Sequence, residues 1–267
     1  MNNVLFTWIR KEFTGVWRGG RLTIFLIVCA GCGVLNPAMA KLTPLLLEVM
    51  KDQMAEMGLV LDAPNVTAWT SWEQYCKNIW MPLLIFVLMF GNIFTKEYGA
   101  HTLTPMVTKG LGKRTVLWGK AILLLLVWTV GYGLYFVVTY GYTEFYWPMG
   151  LSRRVCDMTL MFYAYSLYII ALVVFFSVLW KEFSGVLASM AAIVLGETFF
   201  SMIPKVSKYI PAAIASPAIL MEKTGGEKEA WKYAGLSDFA GPIFVTLGIT
   251  AALFVAATLL MKHKSVD

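Results

Sequence analysis

Histidine is nearly missing from this chain, with two in 267 residues, and only four cysteines accompany them. So small a stock of imidazole and thiol groups leaves no zinc framework and no disulfide scaffold to read from spacing. Charge is scarce as well. Asp, Glu, Lys and Arg make up 14% of the residues, where a soluble domain carries about a quarter. A single soluble domain of this length has too few charges to cover its apolar surface. The nucleotide-binding order Gly-x4-Gly-Lys-Ser/Thr is also missing: Gly112-Lys113 is followed by Arg114. Lys223-Thr224-Gly225-Gly226-Glu227-Lys228 reads as an exposed turn rather than a phosphate loop. Paired acids or histidines inside the apolar stretches, which an intramembrane enzyme needs, are missing too. The chain is therefore read as a non-enzyme without a cofactor or metal of its own.

What it has in abundance is apolar surface. Hydrophobic residues reach 58% and aromatic ones 15%, with a mean hydropathy of +0.67. A bilayer-spanning helix needs about 20 mostly apolar residues. Six stretches qualify: 22–40, 79–95, 121–143, 158–180, 183–204 and 239–261. Open sheet edges do not survive in hydrocarbon, so the fold class is all-α and polytopic, one membrane domain over 1–267. An even number of spans puts both termini on one side. With the termini cytoplasmic, the inner segments hold 12 of the 22 basic residues at about twice the outer density. That is the bias of the positive-inside rule, and it accounts for the net charge of +6 without nucleic acid. The expected location is a cell membrane, crossed many times.

Residues 1–21 carry their own pattern. Val4, Leu5, Trp8, Ile9, Phe13, Val16 and Trp17 recur at three- and four-residue intervals, the mark of an amphipathic helix lying in the membrane interface. The competing reading is a secretory signal ending at Ala38-Met39-Ala40, against which the length and patterning of the leading segment argue. After the first span, Thr43 and Pro44 suit the N-cap and first position of a separate outer helix, a lid or a helix resting on the membrane. Pro204, Pro211 and Pro217 break the segment 205–238 into pieces too short to span.

The segment 96–120 between spans two and three is the most informative. It is basic, broken by glycine and Pro105, and short enough to lie against the membrane, where lipid headgroups explain its lysines nearly as well as a protein partner. Glu97, Gly99 and Thr102 lead into Thr108-Lys109-Gly110, then Lys113-Arg114 and Gly119-Lys120. This series resembles the signature of type-2 ATP-binding-cassette (ABC) transporter permeases. There a glutamate leaving span two is followed by Gly-Thr, a short apolar helix, a Thr-Pro/Gly turn with arginine, and Gly-Lys opening span three. His101 and Pro105 depart from that pattern. The resemblance implies that 96–120 docks a separate cytoplasmic ATPase, through Glu97, Gly99, Thr102, Lys109, Gly110, Lys113, Arg114 and Lys120. Lys181 and Glu182, in the tight 180–183 turn, would make a second contact. It also implies export of a hydrophobic or amphipathic substrate by a pair of permease subunits, identical or paralogous, set in membrane lipid. The same basic loop would equally serve a non-transporting sensor or scaffold that docks a regulator.

Within the spans, Glu197 is the one formal charge, placing it against protein, a substrate path or the outer interface. Asn36-Pro37 bends the first span, as a static kink or as part of that path. Gly185, Ala188, Ser189, Ala192 and Gly196 form a small-residue stripe that permits close helix approach. The resemblance makes the stripe a subunit interface, complemented by Ala30, Gly31 and Gly33. Cys29-x-x-Cys32 lies mid-span and behaves as a pair of small hydrophobes, whereas pairing of Cys76 with Cys156 stays open.

Overall fold

A computed structural model describes residues 2–56, 66–99, 112–203, 206, 209–215 and 239–263. Among them the chain forms nine α-helices and no strand: α1 Asn2–Arg18, α2 Arg21–Glu56, α3 Ala68–Asn78, α4 Trp80–Phe90, α5 Thr95–Gly99, α6 Lys113–Tyr146, α7 Arg153–Leu179, α8 Phe183–Ser201 and α9 Ala240–His263. A 3₁₀ turn, Pro211–Ile214, packs against α7, α8 and α9. Six helical stretches are long and apolar enough to cross a membrane: Arg21–Leu45, Ala68–Gly99, Lys113–Tyr146, Arg153–Leu179, Phe183–Ser201 and Ala240–His263. The chain is an all-α polytopic membrane protein. Six crossings return it to the face on which it starts, called here the terminal face.

Four boundaries differ from the sequence reading. The helix expected to start at Thr43 is not separate, because α2 runs unbroken through Pro37 and Pro44 to Glu56. Thr43 is no N-cap there; its hydroxyl donates to the carbonyl of Met39, one turn back, at 2.7 Å. The second span begins at Ala68 rather than 79, since α3 and α4 join end to end around Ile79. The loop 96–120 closes at Gly112, and Lys113–Lys120 is already helix. The fifth helix ends at Ser201, while Pro204 lies outside the described residues.

The helices pack around α6 and α7. Phe25 of α2, Phe86 and Phe90 of α4 and Trp128 of α6 form one aromatic cluster, with ring centroids 5.2–6.3 Å apart. Gly131 admits it, because a Cβ there would collide with the Phe25 ring. Across its apolar window α7 is 67% buried, whereas α8 and α9 are only 17% buried. Those two helices therefore turn most of their surface to lipid or to another chain.

Towards the far face, buried polar groups join α2, α3, α6 and α7. Asn36 is fully buried; its amide donates to Tyr135 Oη and Thr139 Oγ1 at 3.0 Å each, and its carbonyl accepts from Asn78 at 3.0 Å. The Tyr135 hydroxyl donates to the Tyr75 carbonyl at 2.9 Å, and Tyr75 to Tyr132 at 3.0 Å. These bonds answer a backbone problem. Pro37 has no N–H, so the carbonyl of Gly33, four residues earlier, loses its helical donor. The Thr139 hydroxyl lies 3.1 Å from that carbonyl and 2.9 Å from the Tyr135 carbonyl, so its one proton is shared between them and partly replaces the missing donor. Gly33 lets the helices come this close, since a Cβ would meet the Tyr135 carbonyl at 3.0 Å.

Thr139→Val is expected to lower stability by about 1 kcal/mol in detergent-titrated bicelles, because it strips a donor from a buried carbonyl. In a Pro37→Ala background the same change should cost less, as residue 37 then carries an amide. An equal loss in both backgrounds would show that Thr139 does not serve the Gly33 carbonyl.

Candidate functional site

The terminal face is organised by one ammonium group. Trp8, Glu12 and Val16, spaced by four, share the stripe of α1 that faces the bundle. Trp8 is buried against Gly119 of α6, where any Cβ would strike the indole. One residue on, Lys120 is 1% exposed, with Nζ 2.8 Å from Glu97 Oε1, 3.3 Å from Glu12 Oε2 and 3.2 Å from the carbonyl of Ile93. That carbonyl is free because the chain breaks between α4 and α5, where the Glu97 amide donates to Phe94 instead, at 3.0 Å. All three ammonium protons thus find acceptors, the condition for keeping a charge out of water. The clamp fastens α1, the end of span two and the start of span three at one point.

The residues expected to couple to an ATPase separate into groups. Glu97 and Lys120 are brought together, but inside the chain: Lys120 is a buried positioning group, not a docking side chain. Gly99 and Arg114 are exposed and Lys113 half-buried, flanking residues 100–111. Thr102, Lys109 and Gly110 lie outside the described residues. Lys181 and Glu182 sit exposed in the turn between α7 and α8. Glu12, the second carboxylate of the clamp, escaped the sequence reading, although its spacing from Trp8 and Val16 places it on the protein-facing stripe.

Glu197 faces protein. The carboxylate accepts from Tyr168 Oη at 2.5 Å and from Tyr165 Oη at 3.4 Å, both on α7. Hydrogen bonds to both oxygens let α8 carry a carboxyl group into its contact with α7. Beside it an apolar groove of about 300 Å³ runs between α4, α7 and α8, lined by Leu83, Val87, Ile169, Leu187 and Met190. Trp80 and Val194 join it to a second hollow of about 180 Å³, walled by Tyr165 and closed by Ala212 and Ala215. Tyr165 therefore joins the second hollow, not the groove itself, to Glu197. Asn36, the other residue expected on a substrate path, lines no described cavity, and its side chain is fully used in holding α2, α3 and α6 together.

The small-residue stripe on α8 divides in two. Gly185 lies under the Trp180 indole, where a Cβ would meet the ring at 3.0 Å, and Ser189 Oγ accepts from Trp180 Nε1 at 2.8 Å. These two residues hold a lock within the chain, between Trp180 and α8. Ala192 is exposed, and Gly196 has open space where a Cβ would stand. Cys29, Cys32, Cys76 and Cys156 are free, so Cys76 and Cys156 do not pair.

Lys120→Met should loosen α1, because it leaves Glu97 without a cation and Glu12 with only Lys11 at 3.7 Å. The expected loss is about 3 kcal/mol, in the range for breaking a buried pair. Trypsin cleavage at Arg10, Lys11 and Arg18 in membranes would then speed up by at least tenfold, and an unchanged rate would contradict the clamp.

Comparison with known proteins adds no identity: no protein-family model and no curated protein sequence matches the chain.

Proposed function

We propose that this chain is the membrane-spanning subunit of an ATP-driven exporter of the type-2 ABC class. Two copies, or one copy and a paralogue, would cross the membrane and pair with two cytoplasmic ATPase subunits that bind and hydrolyse ATP. The termini would lie in the cytoplasm, and the cargo would be hydrophobic or amphipathic. The observation that carries this reading is the clamp at Lys120. It joins the segment beginning at Lys96, whose residues resemble the coupling region of such permeases, to α1 and α6 through Glu12 and Glu97. A load applied to residues 100–112 from outside the membrane would reach both helices through buried, charge-assisted bonds.

The substrate path in this reading follows the groove between α4, α7 and α8, with Glu197 behind Tyr165. The subunit interface uses the exposed side of α8 around Ala192, where Leu195 and Phe199 also face outward.

Lys113→Glu/Arg114→Glu should insert normally but lose an ATPase that co-purifies with the wild-type chain in mild detergent. Retained ATPase would remove the coupling role of the pair, and a wild type that brings down no ATPase would favour a membrane scaffold. In a Cys156→Ser background, Ala192→Cys should give an oxidative dimer in native membranes, and Gly185→Cys, beneath Trp180, should not. Equal cross-linking at both sites would place the interface elsewhere. Glu197→Gln is expected to alter transport and its pH dependence while leaving insertion intact; unchanged transport would take Glu197 off the path.

A further inference from the structure

Beside the clamp, on its membrane-surface side, lies a cleft of about 440 Å³ that neither the packing nor the coupling reading explains. Its walls come from α1, the first residue of α2, the end of span two and Lys120. That volume falls within the range of small-ligand sites. Four cations face it, Lys11, Arg21, Lys96 and Lys120, against two carboxylates, Glu12 and Glu97. Lys120 consumes the two carboxylates, and Lys11 reaches Glu12 only at 3.7 Å. Arg21 and Lys96 have no ion-pair partner among the described residues. The cleft thus has two positive charges more than its own acids neutralise.

The remaining lining has the opposite character. Val16, Phe90 and Ile93 form an apolar wall, and Gly15 and Gly19 leave open the side nearest α1. A Cβ at Gly15 would touch nothing. α1 itself carries Phe6, Phe13 and Trp17 exposed, which sets the helix at the level of the lipid headgroups. A cationic rim over an apolar wall at that depth matches a molecule that is anionic at one end and apolar at the other.

We infer that this cleft is a binding site for the headgroup of an anionic phospholipid, held between the amphipathic helix and the clamp. The phosphate meets Arg21 and Lys96, which donate charge-assisted hydrogen bonds to it, and Lys11 closes over it from α1. The glycerol end lies along Val16, Phe90 and Ile93, and the acyl chains continue into the bilayer. A free phosphate would use the cations but leave that apolar wall wet, so the lipid is the occupant that uses both. The inference rests on the membrane fold and the cleft, and stands apart from the transporter reading.

Native mass spectrometry of the full-length chain, released from detergent with phosphatidylglycerol or phosphatidylcholine added at equal concentration, tests it. The wild type should retain phosphatidylglycerol preferentially. Arg21→Gln/Lys96→Gln should lower that preference about thirtyfold, as expected for two basic groups at a lipid surface. Lys181→Gln/Lys262→Gln removes the same charge from elsewhere on the terminal face and should leave the preference intact. Gly15→Leu blocks the cleft without changing charge and should lose the preference as well, which keeps the test usable if the first variant fails to fold. The proposal is overturned if the wild type shows no preference or if Arg21→Gln/Lys96→Gln retains it. It is equally overturned if Gly15→Leu binds normally or if the control pair loses as much as the cleft pair. Displacement of the lipid by millimolar inorganic phosphate, but not chloride, would assign the site to a free anion instead.

Discussion

The ammonium group of Lys120 sits where three separately formed pieces of the chain meet, and the architecture of the terminal face follows from satisfying it. A charge held at 1% exposure needs acceptors on every side. One comes from the amphipathic helix, one from the end of span two, and the third is a backbone carbonyl released by a break in that span. Without the break between α4 and α5, the Ile93 carbonyl would belong to its own helix. Without Gly119, the indole of Trp8 would hold α1 away from α6. An interruption, a glycine and two carboxylates, distant in sequence, thus serve a single group.

The far face solves a related problem with neutral groups. Pro37 leaves a carbonyl unpaired inside an apolar layer, and the remedy comes from another helix rather than from water. Trp128 donating to Ser166, and Tyr165 and Tyr168 donating to Glu197, extend the same practice to α7 and α8. Hydroxyl-bearing side chains on α6 and α7 supply most of these bonds. This is why the two helices at the centre are the ones rich in tyrosine, serine and threonine.

Apolar run length made the six spans legible in the sequence, because the thickness of the bilayer sets it directly. The amphipathic helix was legible for the same kind of reason, its period being a property of the helix. Boundaries were harder. Pro44 looks like a helix start, yet α2 carries it internally, since a proline is tolerated wherever surrounding groups reorganise around the missing N–H. Lys120 reads as one more basic residue of a loop; only the meeting of Glu12 with Glu97 converts it into a buried charge, and no local pattern spans 108 residues. The contact of Gly185 and Ser189 with Trp180 was hidden in the same way. A small-residue stripe signals close approach, but not whether the visitor is a second subunit or a tryptophan five residues earlier. Glu197 was conspicuous from its charge, whereas Tyr165 and Tyr168 were hidden among twelve tyrosines.

The lock of Trp180 onto α8 bears on how the protein enters its membrane. α7 ends at Leu179 and α8 starts at Phe183, so the polar tip between two apolar helices is three residues long. That tip carries Lys181 and Glu182, one charge of each sign, and the indole of Trp180 is already bonded to Ser189. Helices tethered so tightly reach the lipid within one helix diameter of each other and enter as a preassembled hairpin. The one carboxyl group of α8, on Glu197, then finds its tyrosines on the adjoining arm and never has to meet the acyl chains alone.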